Sequence, residues 1–275
     1  MISYFRKSLA RKRARRITRE YPPIIERVEL AKDDPVDFAN WSNPLVKPFV
    51  LTQHTVDFFK KFIKEGDLAI DIGANIGDTT VPMALAAGKS GLTLGFDPNP
   101  YVFKILEANA ALNKDKTNMV PLRYAISKDE GEFYFVSSEA SFGNGGISPT
   151  PDSVHGKFVA PEKIKGVDLT KLLKSEYARY VDKLSFIKID TEGYDKEIIK
   201  SIRDLIQKYK PTIVAESFGA SSDEAKMELF EVIHRDGYQI FYFEDFDINT
   251  KTIELKNKEA MTQWKDTMNI YAVSR

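Results

Sequence analysis

From about residue 66 onward, short apolar runs alternate with longer segments whose apolar residues recur at helical spacing. This alternation restricts the chain to few architectures. Leu68–Ile72, Leu92–Phe96, Val120–Ala125, Glu132–Val136, Leu184–Asp190, Thr212–Glu216, Tyr238–Phe243 and Ile270–Val273 read as strands. Thr55–Lys64, the stretch running to Ala87, Tyr101–Leu112, Lys196–Tyr209 and Ser222–Arg235 read as helices. Strand and helix in turn predict an α/β fold with a mostly parallel sheet covered on both faces. At 275 residues and 43% apolar composition, the chain is long and apolar enough for one large domain with modest additions.

The flanks of this pattern set the organisation. Residues 1–50 read as a basic, proline-containing extension, broken by Pro22, Pro23, Pro35, Pro44 and Pro48, and residues 51–275 as the main domain. A polar stretch at about 137–161, with Gly143, Gly145, Gly146, Pro149 and Pro151, reads as a lid-like loop. Charge is balanced at 40 Lys+Arg against 40 Asp+Glu, but residues 1–21 hold eight of those cations and only Glu20. The rest is net acidic, so a surface built throughout to hold nucleic acid is not expected. Ile2, Phe5 and Leu9 sit at helical spacing among the cations, which allows peripheral membrane contact through residues 1–21, an RNA contact, or simply a solvated end. There is no cysteine, which excludes disulfide scaffolds, thiolate zinc sites and a thiol nucleophile. No apolar run approaches a membrane span, and arginines stand where a secretory signal would be apolar. The expected location is the cytoplasm, with membrane association left open.

Leu68–Ile72 runs into Gly73-Ala74-Asn75-Ile76-Gly77-Asp78-Thr79-Thr80. A glycine turn between a first strand and first helix brings a ligand against bare backbone at the helix's positive end. The spacing is G-x-x-x-G, with Asn75 and Asp78 where a dinucleotide fingerprint has its second and third glycines, and no phosphate-loop lysine follows Gly77. Asp71 places a carboxylate at the strand's mouth, which repels phosphates and favours a cationic ligand carrying an ammonium and a sulfonium. Asp97 ends the second strand, 24 residues beyond Gly73, where a carboxylate can accept from two ribose hydroxyls.

DIGANIGDTT, GFDPNP, Asn109 and Asn113, FIKIDTEGYDKEIIKSI and PTIVAES together resemble the FkbM family of S-adenosylmethionine-dependent methyltransferases, over about residues 52–218. The resemblance implies a seven-stranded, Rossmann-like class I methyltransferase sheet with helices on both faces and its last strand antiparallel. It also implies methyl transfer from S-adenosylmethionine to a hydroxyl of a sugar, glycan or natural product. Carried over by position, Asp71, Gly73, Asn75 and Gly77 would hold the methionine part, and Asp97, with Asn99 close by, the ribose. Ala125 and Ile126 would grip the adenine, while Asp190 and Glu192 would lie at the reaction mouth.

Methyl transfer to an alcohol is an in-line displacement, helped by positioning and by a group that withdraws the hydroxyl proton. Asp190, Glu192 and Glu216 fall at strand ends and could converge, as a general base or as oxygen ligands of a divalent metal. Alternation should aim Lys188 to the same side as Asp190. His155, in the lid-like loop, is a further candidate base, and Phe142 and Phe218 are candidate walls for a sugar ring. Asp190-Thr191-Glu192-Gly193 lacks the Pro-Pro-aromatic of amino-group methyltransferases. The rival readings are an RNA 2′-O-methyltransferase, partly mimicked by Lys188, Asp190 and Glu216, and a non-catalytic scaffold that binds the cofactor.

Overall fold

The computed structural model describes residues 2–128, 130–191 and 193–274, with side chains described from residue 6 onward. Helix α1 (Ile2–Ala14) is followed by an antiparallel pair, β1 (Pro23–Val28) and β2 (Val36–Trp41), with Pro23 opposite Trp41. The proline-containing stretch thus holds a hairpin that its sequence did not announce. Helix α2 (Gln53–Lys60), capped by Thr52, then leads into β3 (Leu68–Ile72), α3 (Thr80–Ala87), β4 (Leu92–Phe96), α4 (Pro100–Ala111) and β5 (Met119–Leu122). The side-chain amide of Asn109 brackets Ala39, accepting from its N–H at 2.8 Å and donating to its carbonyl at 2.9 Å, and Asn113 brackets Asp37 in the same way. Two amides thereby satisfy the exposed backbone edge of β2 and fasten the hairpin to α4.

The expected strand at Val120–Ala125 divides between two sheets. Its first part is β5; its second, β6 (Tyr124–Ile126), joins a smaller sheet with β7 (Gly131–Ser137), β8 (Gly146–Ser148), β9 (Phe158–Val159) and β10 (Ile164–Val167). Residues 137–161 therefore carry two short strands, β8 and β9, both hydrogen-bonded to β7. After α5 (Leu169–Glu176) and α6 (Ala178–Val181) come β11 (Leu184–Ile189), α7 (Asp195–Ser201), α8 (Arg203–Tyr209), β12 (Thr212–Ser217) and α9 (Asp223–His234). The helix expected at 196–209 is two helices, because Ile202 leaves the helical region at φ −105°, ψ 17°. The chain ends with β13 (Tyr238–Phe243), β14 (Thr252–Leu255) and β15 (Met268–Ser274).

The main sheet has eight strands in the order β14-β13-β15-β12-β11-β3-β4-β5. β15 runs antiparallel to both neighbours, and β3, β4, β5, β11 and β12 pair in parallel. The expectation was seven strands, and β14 is the eighth. It adds to the edge of β13 through backbone pairing while Thr252, Ile253 and Glu254 stay exposed, so no apolar alternation marks it in sequence. Alternation along the central strands splits the core. Leu68, Ile70, Ile187, Ile189 and Ile213 pack towards one face with Ile198, Ile206 and Ile233 of the helices, whereas Ala69, Phe186 and Val214 face Phe58, Phe59 and Met83. No helix among the described residues is long and apolar enough to cross a membrane.

Candidate active site

The parallel strands end together, and the site forms in the crevice beyond their carboxyl ends. β3 ends at Ile72, and the chain turns through Gly73 (φ 83°), Ala74, Asn75 (φ 48°), Ile76 and Gly77 (φ 98°). The N–H groups of Gly73 and Ala74 both donate to the Phe96 carbonyl at 2.9 Å, pinning the turn to the end of β4. A Cβ on Gly73 would lie 1.9 Å from the carbonyl oxygen of Asp190, so only glycine lets the turn lie against the end of β11.

Behind the turn lies a buried charge cluster. Lys188 and Asp71 are direct partners in the parallel register of β11 and β3. Lys188 Nζ is 3.1 Å from Asp71 Oδ1, 3.3 Å from the Gly73 carbonyl oxygen and 3.3 Å from Asp190 Oδ2. The other Asp71 oxygen accepts from the hydroxyls of Thr79 and Thr80, each at 2.7 Å. Burial opposes the Lys188 charge, but Asp71, Asp190 and Asp78 more than offset this and hold its pKa well above the ordinary value. Burial pushes the nearby Asp78 carboxyl up to about 6, against the pull of Lys188. Of the four residues that the resemblance assigns to the methionine part, Gly73 and Asn75 line the cleft, and Asp71 and Gly77 lie behind it. Asp71 is fully buried with both oxygens occupied, and it supports the turn from behind without lining the cleft. Gly77 stands behind the turn too, against Leu106 and Met119.

In front of the turn opens a cleft of about 470 Å³, and Gly73, Asn75, Asp97, Asn99, Ala125, Ile126, His155 and Asp190 all line it. Asp97, at the tip of β4, accepts from the N–H groups of Asn75 and Asn99 at 2.8 Å each, and burial raises its carboxyl to about 7. Asn99 caps α4, with Pro100 opening the helix, and its side-chain amide donates to the Phe142 carbonyl at 2.7 Å. β6, β7 and β8 of the smaller sheet supply one wall through Tyr124, Phe133, Phe135 and Ile147. His155 packs against Gly146, where a Cβ would lie 2.5 Å from its ring. Asp190, at the end of β11, keeps 41% of its side chain exposed on the opposite rim, beside Thr191 and Tyr194.

Several expectations do not converge on this cleft. Glu192 lies outside the described residues. Glu216 lines a separate small pocket with Ser217 and Phe218, and its backbone N–H donates to Asp195 Oδ1 at 2.9 Å. Among the described residues no group of three or more acids or histidines stands at metal-binding range, and Glu192, expected beside Asp190 and Glu216, lies outside them. Phe142 is no open ring wall: it is buried, with φ 55°, and stacked on Tyr101 at 4.6 Å. The alternation in Glu132–Val136 marks the strand that carries Phe133 and Phe135, but a local pattern holds no record of which crevice that strand walls.

An order of β5, β4, β3, β11, β12, β15, β13 with β15 alone reversed, and a glycine turn after β3, defines a class I methyltransferase fold. Residues 71–247 match the family model of the methyltransferase FkbM domain. The chain belongs to the FkbM methyltransferase family. It is 26% identical over 155 residues to the hexuronic acid methyltransferase AglP of Haloferax volcanii, covering 55% of this chain and only 56% of that protein. It is 22% identical over 200 residues to the methyltransferase sdnD of Sordaria araneosa, covering 65% of this chain and 76% of that protein. A precorrin-6y C5,15-methyltransferase structure from Geobacter metallireducens overlays with a TM-score of 0.44 at 12% identity, covering 83% of this chain and 93% of that one. The site suits the family's methyl donor, S-adenosylmethionine: the glycine turn at Gly73 and Asn75 lines the cleft, and a buried carboxylate stands beyond it at Asp97.

Proposed function

We propose that the chain methylates a hydroxyl oxygen of a sugar, glycan or other natural product, using S-adenosylmethionine. The observation that carries this reading is the contact between the two halves of the site. The Gly73 turn touches the backbone of Asp190, and the Asp190 carboxylate remains open to the cleft. A donor held on the turn by Gly73 and Asn75, its ribose on Asp97 and Asn99 and its adenine against Ala125 and Ile126, supplies an electrophilic methyl carbon beside Asp190.

Asp190 then accepts the hydroxyl proton as the acceptor oxygen bonds to the methyl carbon and the carbon–sulfur bond breaks. Lys188 holds that carboxylate in place from behind. His155, on the wall formed with β8, is the alternative base. The stretch 137–161 covers the acceptor side, and Tyr194, 48% exposed on the rim, offers a flat face to a sugar ring. The naming of AglP as a hexuronic acid methyltransferase supports a sugar acceptor. The test is transfer of labelled methyl from S-adenosylmethionine into fractionated cell extract. Label in glycan or small-molecule fractions is the expected result. Label in RNA would replace this reading with 2′-O-methylation, and cofactor binding without label in any fraction would replace it with a scaffold.

A further inference from the structure

The N-terminal segment crowds its cations more densely than any other stretch of the chain, with seven between residues 6 and 16 and no acid among them. Arg6, Lys7, Arg11, Lys12, Arg13 and Arg16 are all exposed, and none of their side chains pairs with an acid among the described residues. Like charges this close along the segment repel one another, and an anionic partner surface would relieve that repulsion.

Two aliphatic side chains stand among them in the open, Leu9 at 49% and Ile17 at 57% exposure. Nucleic acid offers such side chains little, since its bases stack on aromatic or guanidinium planes. A lipid surface offers both components at once: anionic headgroups for the cations, and the headgroup–acyl boundary for the aliphatic side chains.

The segment is also tied to the cleft. Ala14 at the end of α1 is fully buried. The next residue, Arg15, accepts from the Ala140 N–H through its carbonyl at 3.2 Å and pairs with Glu139 through its guanidinium at 3.3 Å. A few residues beyond Ala140 the same stretch lines the cleft from Gly143 to Ile147. Further along, the Tyr21 carbonyl accepts from the Trp41 indole at 2.9 Å.

We propose that α1 and the residues following it dock on an anionic lipid surface and, through Glu139 and Ala140, hold the cleft wall at 143–147 beside an acceptor carried on that surface. The docking stands apart from the choice of acceptor; the second clause rests on the hydroxyl-methylation reading.

The test sediments the full chain with vesicles of phosphatidylcholine alone and with vesicles containing about one-third phosphatidylglycerol. The expected result is at least tenfold greater partition onto the anionic vesicles, lost as salt is raised from about 0.1 M to about 1 M. Exchange of Arg6→Gln, Lys7→Gln, Arg11→Gln and Lys12→Gln together should lower that partition at least tenfold while leaving the melting temperature in place. The pair Leu9→Ser and Ile17→Ser should weaken it at unchanged charge. Equal partition onto both vesicles, no partition onto either, or tighter binding to a single-stranded RNA oligonucleotide run in parallel would overturn the docking. None of these readouts involves methyl transfer, so their failure leaves the proposed reaction standing, and a failed labelling experiment leaves the docking standing.

Discussion

Lys188 joins three parts of the site through a single ammonium: the Asp71 support, the Gly73 carbonyl and the Asp190 carboxylate. Removing one member of a buried ion cluster leaves uncompensated charge, so Lys188→Met should cost about 3–5 kcal/mol, read as a lowered urea midpoint at unchanged slope. Asp190→Asn should lower kcat at least about a hundredfold while changing cofactor affinity little, checked by single-turnover rates beside a binding titration. Asp97 gives a pH signature. Its folded pKa stands near 7 against an ordinary 3.8, so the folded state keeps a proton that the unfolded chain has lost. Stability from this group therefore falls as pH rises between those values. Ribose hydroxyls donate to the ionised carboxylate, so cofactor affinity should weaken about tenfold per unit as pH falls below 7. Titration calorimetry across that range measures this, and Asp97→Asn should flatten the dependence.

At the scale of elements, the turn and the stretch 137–161 meet at β4's tip. Asn99 caps α4 through its side-chain oxygen and holds the Phe142 carbonyl through its side-chain nitrogen. Asn99→Ala should cost about 1 kcal/mol from the cap and free the stretch from α4. We expect faster proteolytic nicking between 137 and 161 and a raised KM for the acceptor, with kcat less affected. Gly73→Ala should abolish cofactor binding, because the new Cβ would overlap the Asp190 carbonyl at a backbone angle that disfavours side chains. The element boundaries followed from local pattern where a strand is buried on both faces, as at Leu68–Ile72 and Leu92–Phe96. They did not where an edge pairing or backbone bracketing makes the strand. β1, β8, β9 and β14 are mostly exposed or very short, so little of their apolar surface enters a core and period-two patterning has nothing to record.

For the molecule as a whole, both faces of the main sheet are covered, and Phe59 of α2 packs edge-on against Phe186 of β11 at 5.7 Å. Phe59→Ala should cost about 3–5 kcal/mol and unfold the site together with the sheet, visible as one cooperative transition. Sequence by itself determined the α/β alternation, the glycine turn, the acids at the ends of the first, second and fourth parallel strands, and the family. These are carried by residues adjacent in the chain, where periodicity and turn chemistry act locally. Only the tertiary structure decided that Asp71 faces Lys188 and not the cleft, because that depends on the register between two strands more than a hundred positions apart. It also decided that a second sheet built from β6, β7 and β8 walls the cleft, that Glu216 opens onto a different pocket, and that the basic segment is fastened to the cleft's rim. Each of these is a contact between distant parts of the chain, and packing and backbone pairing leave no periodic trace of such contacts in the residues that make them.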